Sequence, residues 1–174
     1  MSGPETPITI RPEAAGDEAT IFTLTETAFA PMPFSEGDEQ HVIDRLRHDG
    51  DLTLSLVAED AERIVGHIAI SPVSITDDAH DWYGLGPVAV WPELHHRGIG
   101  GALIRRAIAD MRVRGAKGIV LLGSNEYYPR FGFEHHPQLQ YPGPPPEFFQ
   151  ALLLEGALPS GVVSFAPGFT PAGQ

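Results

Sequence analysis

One stretch in the middle of the chain restricts the possible folds more than any other. An apolar run over Trp82 to Val90 leads into a basic, glycine-rich loop. An amphipathic helix is then predicted from Ile99 to Arg114, with its apolar side chains on one stripe. A buried strand over Ile119 to Leu122 follows. A strand, a loop, a helix and a second strand in this order predict helices packed on a sheet.

Similar patterns along the rest of the chain predict one mixed α/β or α+β layer fold, with a central sheet of six or seven strands. Apolar runs predict further strands at Ile8 to Pro12, Leu52 to Glu59, Ile64 to Ile70 and Val162 to Phe165. Helical spacing predicts further helices or helical turns at Asp17 to Phe29, Glu36 to His48, Glu126 to Phe131 and Glu147 to Leu153. A length of 174 residues fits one domain over residues 8–174, behind a disordered leader over residues 1–7.

The composition excludes several classes of protein. Cysteine is absent, which removes disulfides, cysteine-ligated zinc, iron–sulfur clusters and a thiol nucleophile. The longest apolar runs are about four residues, which is too short to span a membrane. The first seven residues lack the basic and apolar regions of a secretory signal. We therefore expect a cytoplasmic protein with no membrane partner.

The net charge of −12 is unevenly distributed along the chain. Residues 91–130 hold seven of the eleven basic residues but only three of the 23 acidic ones. A protein this acidic is not expected to bind nucleic acid through its overall field. The basic block indicates a local partner that carries phosphate, while an arginine-rich helix face in solvent would explain the same pattern.

The loop between the predicted strand and helix has the features of an anion-binding site. Gly98 and Gly100 let the backbone approach a ligand closely, because neither has a Cβ atom. The first helical turn presents unpaired N–H groups and the positive end of the helix dipole, and Arg97 adds a charge. The P-loop does not match, because no Lys followed by Ser or Thr comes after the second glycine. The dinucleotide fingerprint does not match either, since Leu103 stands where it needs glycine.

Three segments resemble the GNAT superfamily of N-acetyltransferases, which use acyl-coenzyme A. His95 to Gly100 (HHRGIG) resembles the family's Gln/Arg-x-x-Gly-x-Gly/Ala loop, with His where Gln or Arg is usual. Tyr128 to Phe133 (YPRFGF) is similar to the family's Tyr-x-Lys/Arg-x-Gly-Phe segment, and Ala89 to Pro92 matches its Ala-Val-x-Pro. The element order from Ile8 to Phe133 follows the family layout. Together with Leu85 to Val90, these segments resemble a bacterial branch of predicted acetyltransferases.

The resemblance implies a GNAT-like central sheet, mixed but mostly antiparallel and flanked by helices. It implies an acetyl-CoA-binding core over residues 8–134 and a C-terminal, substrate-side segment over residues 135–174. Coenzyme contacts are implied for one strand, the loop and helix start after it, and the next loop. They are Val88, Ala89, Val90, His95, His96, Arg97, Gly98, Ile99, Gly100, Gly101, Ala102 and Asn125.

The same resemblance implies the chemistry of N-acetyl transfer. A backbone N–H near Val88 would polarise the thioester carbonyl, and a bulge is expected at Gly86-Pro87 because proline cannot donate to a ladder. The amine would attack directly, with no acyl-enzyme, and Tyr128 would protonate the departing thiolate as general acid. The alternative for Tyr128 is an aromatic side chain packed beside Phe131 and Phe133.

The general base stays open at this stage. The strand before the loop contains no carboxylate, so the candidates are Asp81, Glu126, Glu155 or a chain of waters. No metal is expected, because adjacent histidines such as His95-His96 and His135-His136 point to opposite sides of an extended chain.

The segments expected to set the acceptor, residues 17–48, 76–81 and 136–169, are acidic or proline-rich. Acidity favours a cationic amine, and Phe148, Phe149 and four prolines favour a small molecule over a peptide.

Two other functions stay open, a degenerate acyl-CoA-binding sensor and a nucleotide-phosphate enzyme that uses the same loop. Ile68 to Ile70 and Val162 to Val163 are candidate edge strands, and pairing of such edges between subunits would make a homodimer.

Overall fold

The computed structural model describes residues 7–61 and 63–171. Apart from Pro7, the predicted leader lies outside the described residues. The described residues form three α-helices, α1 (Glu18–Phe29), α2 (Glu39–Asp49) and α3 (Ile99–Val113). They also form eight strands: β1 (Ile8–Pro12), β2 (Leu54–Asp60), β3 (Arg63–Ile75), β4 (Trp82–Val90), β5 (Gly118–Leu122), β6 (Leu139–Gln140), β7 (Phe149–Leu153) and β8 (Gly161–Phe165).

Six of the strands lie side by side in the order β1-β2-β3-β4-β5-β7. Within this row all neighbours are antiparallel except β4 and β5. The far end of β3 pairs antiparallel with β8, and β8 pairs in parallel with the two-residue β6. The mixed, mostly antiparallel sheet predicted from the sequence is confirmed.

Helices cover both faces of the sheet. On one face, α3 buries Leu103 and Ala107 in a cluster with apolar side chains of β2, β3, β4 and β5. On the other face, α1 buries Ile21 and Leu24 in a cluster that includes Ala89 of β4. Each leucine-sized side chain buried in this way contributes about 1.5–3 kcal/mol. The sheet is therefore held in the middle of three layers, and β4 is packed from both sides.

The predicted helix over Glu147 to Leu153 is wrong. Pro146–Phe148 forms one 3-10 turn, and the residues after it form β7, which pairs antiparallel with β5. Pairing with β5 satisfies the backbone groups of this segment and buries Phe149 and Ala151, which a single short helix cannot do at the same place. With β7 and the two-residue β6 included, the described residues form eight strands, whereas the sequence predicts six or seven.

The prediction that Ile68 to Ile70 forms an edge strand is also wrong. These residues lie inside β3, between β2 and β4. Val162 and Val163 belong to β8, which has β3 on one side and β6 on the other. Neither segment offers a free edge within the described residues, so the homodimer stays a prediction without this support.

The two parallel strands separate after a short shared stretch. Trp82–Gly84 of β4 pairs with Gly118–Val120 of β5. Over Leu85–Val90 no strand within residues 7–61 and 63–171 pairs with β4 on this side. We call the paired part the closed end and the separated part the open end of the β4–β5 pair.

A bulge in β4 accounts for the separation. Ile68 of β3 opposes Val88, and Ile70 opposes Leu85, so β4 contains one more residue than β3 over this interval. The extra residue falls at Gly86-Pro87, as predicted, and Gly86 has a φ of +129° that residues with a Cβ rarely adopt. Because a bulge bends its strand and increases the local twist, it turns the rest of β4 away from β5.

The closed end gives a prediction about stability. A Cβ atom on Gly118 would lie 2.1 Å from the ring of Trp82, which is itself buried. We expect Gly118→Ala to lower the free energy of unfolding by about 3 kcal/mol, since overpacking a filled core forces side chains or backbone to shift. Urea denaturation measures this. A double mutant with Trp82→Phe should lose less than the sum of the two single changes, and a loss below about 0.5 kcal/mol for Gly118→Ala would contradict the packing described.

Candidate functional site

The amino terminus of α3 lies at the open end and presents free backbone donors. Gly98 caps the helix with a φ of +82°, and no side chain caps it. The first intrahelical bond runs from Ala102 N to Gly98 O at 3.0 Å, so the amides of Ile99, Gly100 and Gly101 precede it. Together with the positive end of the helix dipole, these three N–H groups make an anion-binding cradle.

The two histidines of the loop before α3 have different surroundings. The Nε2 atom of His95 lies 2.9 Å from the carbonyl oxygen of Val90 and donates to it, so this side chain ties the loop back to the end of β4. The resemblance implies a coenzyme contact at His95, and the bond to Val90 leaves only Nδ1 of its side chain for such a contact. His96 and Arg97 are exposed, and His96 has a φ of +66°.

Three arginines lie beside the cradle without a carboxylate partner in the described part of the chain, and they are Arg97, Arg105 and Arg130. The guanidinium of Arg105 stacks on the Phe131 ring at 5.0 Å, and that of Arg130 stacks on the Tyr127 ring at 4.4 Å. The Tyr127 hydroxyl lies 3.8 Å from the position that a Cβ on Gly100 would occupy. Tyr127 therefore reaches the cradle. The sequence motifs assign a role in the site to its neighbour Tyr128 and none to Tyr127.

Tyr128 begins a 3-10 turn (Tyr128–Phe131) after β5, and its side chain is half-buried. Its ring lies against Gly123, where a Cβ would be 2.6 Å from a ring carbon, and packs edge-on to Phe133. Burial, with a smaller contribution from Tyr127, raises the pKa of Tyr128 to about 12. The phenol is therefore neutral at ordinary pH and has a proton to donate. Its ring also packs against Phe133, as the alternative interpretation of Tyr128 predicts.

A residue that the sequence did not single out holds the loop before Tyr128. Gln150 of β7 is 2% exposed, and its Nε2 donates to the carbonyl oxygens of Gly123 and Ser124 at 3.2 Å each. The same Ser124 carbonyl accepts from Tyr128 N at 3.2 Å, and Ser124 Oγ accepts from the two preceding amides of the turn. The sequence feature that could have indicated Gln150 is its position as the one polar residue inside the apolar run FFQALLL. Asn125, predicted as a coenzyme contact, is exposed in this loop.

Two of the three carboxylates considered as bases lie at the wrong end of the sheet. The carbonyl of Asp81 accepts from Lys117 N, and Glu155 N donates to the Lys117 carbonyl, so both residues flank the closed end. Seven residues of strand separate Asp81 from Val88, which is about 23 Å at the usual rise of a strand. Glu126 follows β5 at the open end and is exposed.

No group of three or more histidine, aspartate or glutamate side chains comes together as a metal site within the described ranges. Over the same ranges, no helix has the length and apolar character that a membrane crossing requires.

Comparisons with known proteins agree with this geometry. A family model described as an acetyltransferase (GNAT) domain matches residues 9–136. The uncharacterized N-acetyltransferase YhbS of Escherichia coli K12 is 34% identical over 130 residues, which cover 72% of this chain and 78% of that protein.

Solved structures give the same result over nearly the whole chain. A GNAT family acetyltransferase from Brucella melitensis, in complex with acetyl-CoA, is 42% identical with a TM-score of 0.85, over 95% of this chain and 99% of that one. YhbS from Escherichia coli, in complex with CoA, is 30% identical with a TM-score of 0.86, over 99% of this chain and 97% of that one.

The environment of Tyr128 predicts that it ionises at a higher pH than a tyrosine in water. Because the folded state holds the neutral phenol, this contribution to stability is complete below about pH 10 and is lost as the pH rises through the folded value of about 12. Ultraviolet titration of tyrosinate in the wild type and in Tyr128→Phe measures it. The variant should lack only the most alkaline component, and loss of a component that titrates near pH 10 would contradict the burial.

Proposed function

Because the chain belongs to the GNAT family of acetyltransferases, we propose that this N-acetyltransferase moves the acetyl group of acetyl-CoA directly onto a primary amine of a small molecule. The observation that supports this most is the open end of the β4–β5 pair, with the α3 cradle beside it. The Brucella relative carries acetyl-CoA and the Escherichia relative carries CoA.

The coenzyme would be held at two places. The pyrophosphate fits the free amides of Ile99, Gly100 and Gly101, with the charges of the neighbouring arginines around it. The pantetheine arm would lie along Val88–Val90 like an added strand, since this stretch has no strand partner on its open side within the described residues. Because the His95 side chain donates to the Val90 carbonyl, its main role would be to hold the loop before the cradle in place rather than to contact phosphate.

The reaction is a single acyl transfer. The amine nitrogen attacks the thioester carbon, and a backbone N–H near Val88 stabilises the charge that develops on the carbonyl oxygen. The C–S bond then breaks with its electron pair on sulfur, and Tyr128 donates its hydroxyl proton to that sulfur. The products are the amide and the CoA thiol, and the proton lost by the amine must go to a base.

Charge and enclosure support a small cationic acceptor. The chain has a net charge of −12, which attracts a cation once the basic block is occupied by phosphate. The C-terminal segment folds over the α1–α2 side of the sheet, where Arg45 of α2 donates to the Gly168 carbonyl at 2.8 Å. In this segment Tyr141 stacks on Phe149, and Phe165 packs edge-on to both rings. Such a packed cover favours a small molecule over a peptide groove, and the cytoplasmic location and the homodimer stay predictions.

Ligand binding gives the first test. Acetyl-CoA or desulfo-CoA at a hundredfold its dissociation constant should stabilise the fold by about 2.7 kcal/mol, which is roughly 5–10 °C in Tm for a chain of this size. ATP and NAD at the same concentration serve as controls. A shift with ATP or NAD, or with none of the four, would mean that the cradle is not a coenzyme A site.

The role of Tyr128 is tested by Tyr128→Phe with n-butylamine, benzylamine and 1,5-diaminopentane as acceptors. We expect kcat for thiol release to fall about 100-fold, as is usual for loss of a general acid, while the Tm shift with CoA stays as in the wild type. Tyr83→Phe is the matched control, because Tyr83 lies at the closed end of β4 opposite Ile119, and it should keep its kcat. An unchanged kcat in Tyr128→Phe would assign this ring to packing alone.

A further inference from the structure

A chain of polar side chains runs from the surface into the middle of the sheet. Arg47 of α2 donates to both carboxylate oxygens of Glu13, at 2.9 and 3.0 Å. Ser55 of β2 bonds the same carboxylate, and its Oγ lies 2.8 Å from Nε2 of His67 on β3. His67 is fully buried. None of these four residues has a part in the acetyl transfer described above.

The directions of the bonds fix the form of the imidazole. The Glu13 carboxylate only accepts, so the single hydroxyl proton of Ser55 goes to it. Ser55 Oγ must then accept from His67, which places a proton on Nε2 and a lone pair on Nδ1. Burial and the nearby Arg47 charge lower the pKa of His67 to about 3, so the ring stays neutral. Within the described residues, Nδ1 has no hydrogen-bond partner although it is buried.

His67 lies beside the part of β4 that the acetyl group would occupy. It is in register with Ala89 on β4, the neighbour of Val88. Ser71, four residues further along β3 and so on the same face wherever the strand is regular, is in register with Gly84. Its Oγ is the second buried atom of β3 that has no partner in the described part of the chain. The two atoms therefore flank the β4 bulge.

We propose, on the premise of the acetyl transfer above, that His67 takes the proton of the acceptor amine through water bound at Nδ1, and that Ser55 and Glu13 pass a proton on to the surface. Glu13, Arg47 and Ser55 line a surface cleft of about 370 Å³. The Glu13 side chain is 16% exposed there. The chain of hydrogen bonds thus has one end near the reaction and the other in solvent.

The step balances without a charged imidazole. The ammonium gives one proton to water, and that water gives one to Nδ1 of His67. In the same movement Nε2 releases its proton to Ser55 Oγ, and the Ser55 hydroxyl proton moves to the Glu13 carboxylate. The cleft passes that proton to solvent. After the products leave, solvent returns a proton through Glu13 and Ser55 to Nε2 while Nδ1 gives its proton to water at the emptied open end, so that the original tautomer is restored and one proton per turnover reaches solvent. A ring with a strongly lowered pKa can act in this way, because it changes tautomer rather than charge.

The surroundings of His67 leave few other titratable groups to consider. The charged groups in the series of hydrogen bonds that ends at His67 are Glu13 and Arg47. The residues that α1 buries against the sheet are uncharged, and they are Ile21, Leu24, Thr25 and Ala28. Its neighbours in register on β2 and β4 are Val57 and Ala89. Glu126 at the open end is the competing base, and it is an outcome of the test.

The kinetic test uses His67→Gln, which keeps an N–H donor for Ser55 and removes the basic nitrogen. With n-butylamine, benzylamine and 1,5-diaminopentane, we expect kcat at pH 7 to fall about 100-fold while KM for acetyl-CoA is unchanged. The loss should shrink as the pH approaches the pKa of the amine, near 10, because the free amine needs no base. Ser55→Ala should lose about tenfold in kcat. Met111→Leu, which changes a buried side chain near the carboxyl end of α3, should keep the wild-type kcat.

A kcat in His67→Gln equal to that of the wild type would overturn the proposal, and so would a loss that is the same at every pH. The same alkaline recovery in Glu126→Gln alone would assign the base to Glu126. If the wild type binds CoA but releases no thiol with the three amines, the proposed function fails for these acceptors, and the second measurement decides the relay.

The second measurement is the ¹⁵N spectrum of the imidazoles in the wild-type protein, which needs neither a variant nor an acceptor. His67 is recognised as an imidazole that stays neutral down to about pH 4, because its pKa is lowered to about 3. We expect a protonated Nε2 and an unprotonated Nδ1 that is shifted by a hydrogen bond from water. The opposite tautomer would overturn the proposal.

Discussion

A single additional residue in β4 determines the geometry of the whole site. β3 has one residue fewer than β4 over this interval, and beyond the bulge β4 no longer pairs with β5. Two buried layers of side chains hold β4 in place on either face, which means that the separated backbone is rigid rather than frayed. A gap between two parallel strands exposes backbone groups that a closed sheet would pair, and those groups become available to a ligand.

Tyr128, the proposed general acid, is positioned by residues from three distant parts of the chain. The loop after β5 carries Tyr128, β7 supplies Gln150, and the turn that follows Tyr128 packs its aromatic rings on α3 through Arg105. A buried amide that donates to two consecutive carbonyls fixes a loop more firmly than apolar packing alone, since leaving those carbonyls unpaired would be costly. The loop therefore behaves as part of the sheet, and the position of the phenol relative to β4 depends on the pairing of β5 with β7.

The sequence predicted the parts of the site that depend on local signals. The glycines at 98 and 100, the helix after them and the bulge at Gly86-Pro87 follow from backbone requirements within a few residues. Gln150 and His67 could not be found in this way, because their partners lie far away along the chain, at Ser124 and Ser55. The strand β7 was missed for the same reason, since its apolar run fits a helix as well as a strand until β5 is placed beside it. Asp81 and Glu155 were retained as bases because a sequence does not show which end of a strand faces the ligand.

The pairing of β8 with β3 has a consequence for how the chain folds. The strands β2, β3 and β4 follow one another closely and can pair early, because closing a short loop costs little entropy. The bonds between Val73 and Phe165 join the two most widely separated strands that pair in this sheet. We expect that contact to form only after the intervening chain has folded, and it brings the aromatic residues of the C-terminal segment with it. The strands proposed to hold the coenzyme are therefore expected to assemble before the C-terminal segment that is proposed to cover the acceptor.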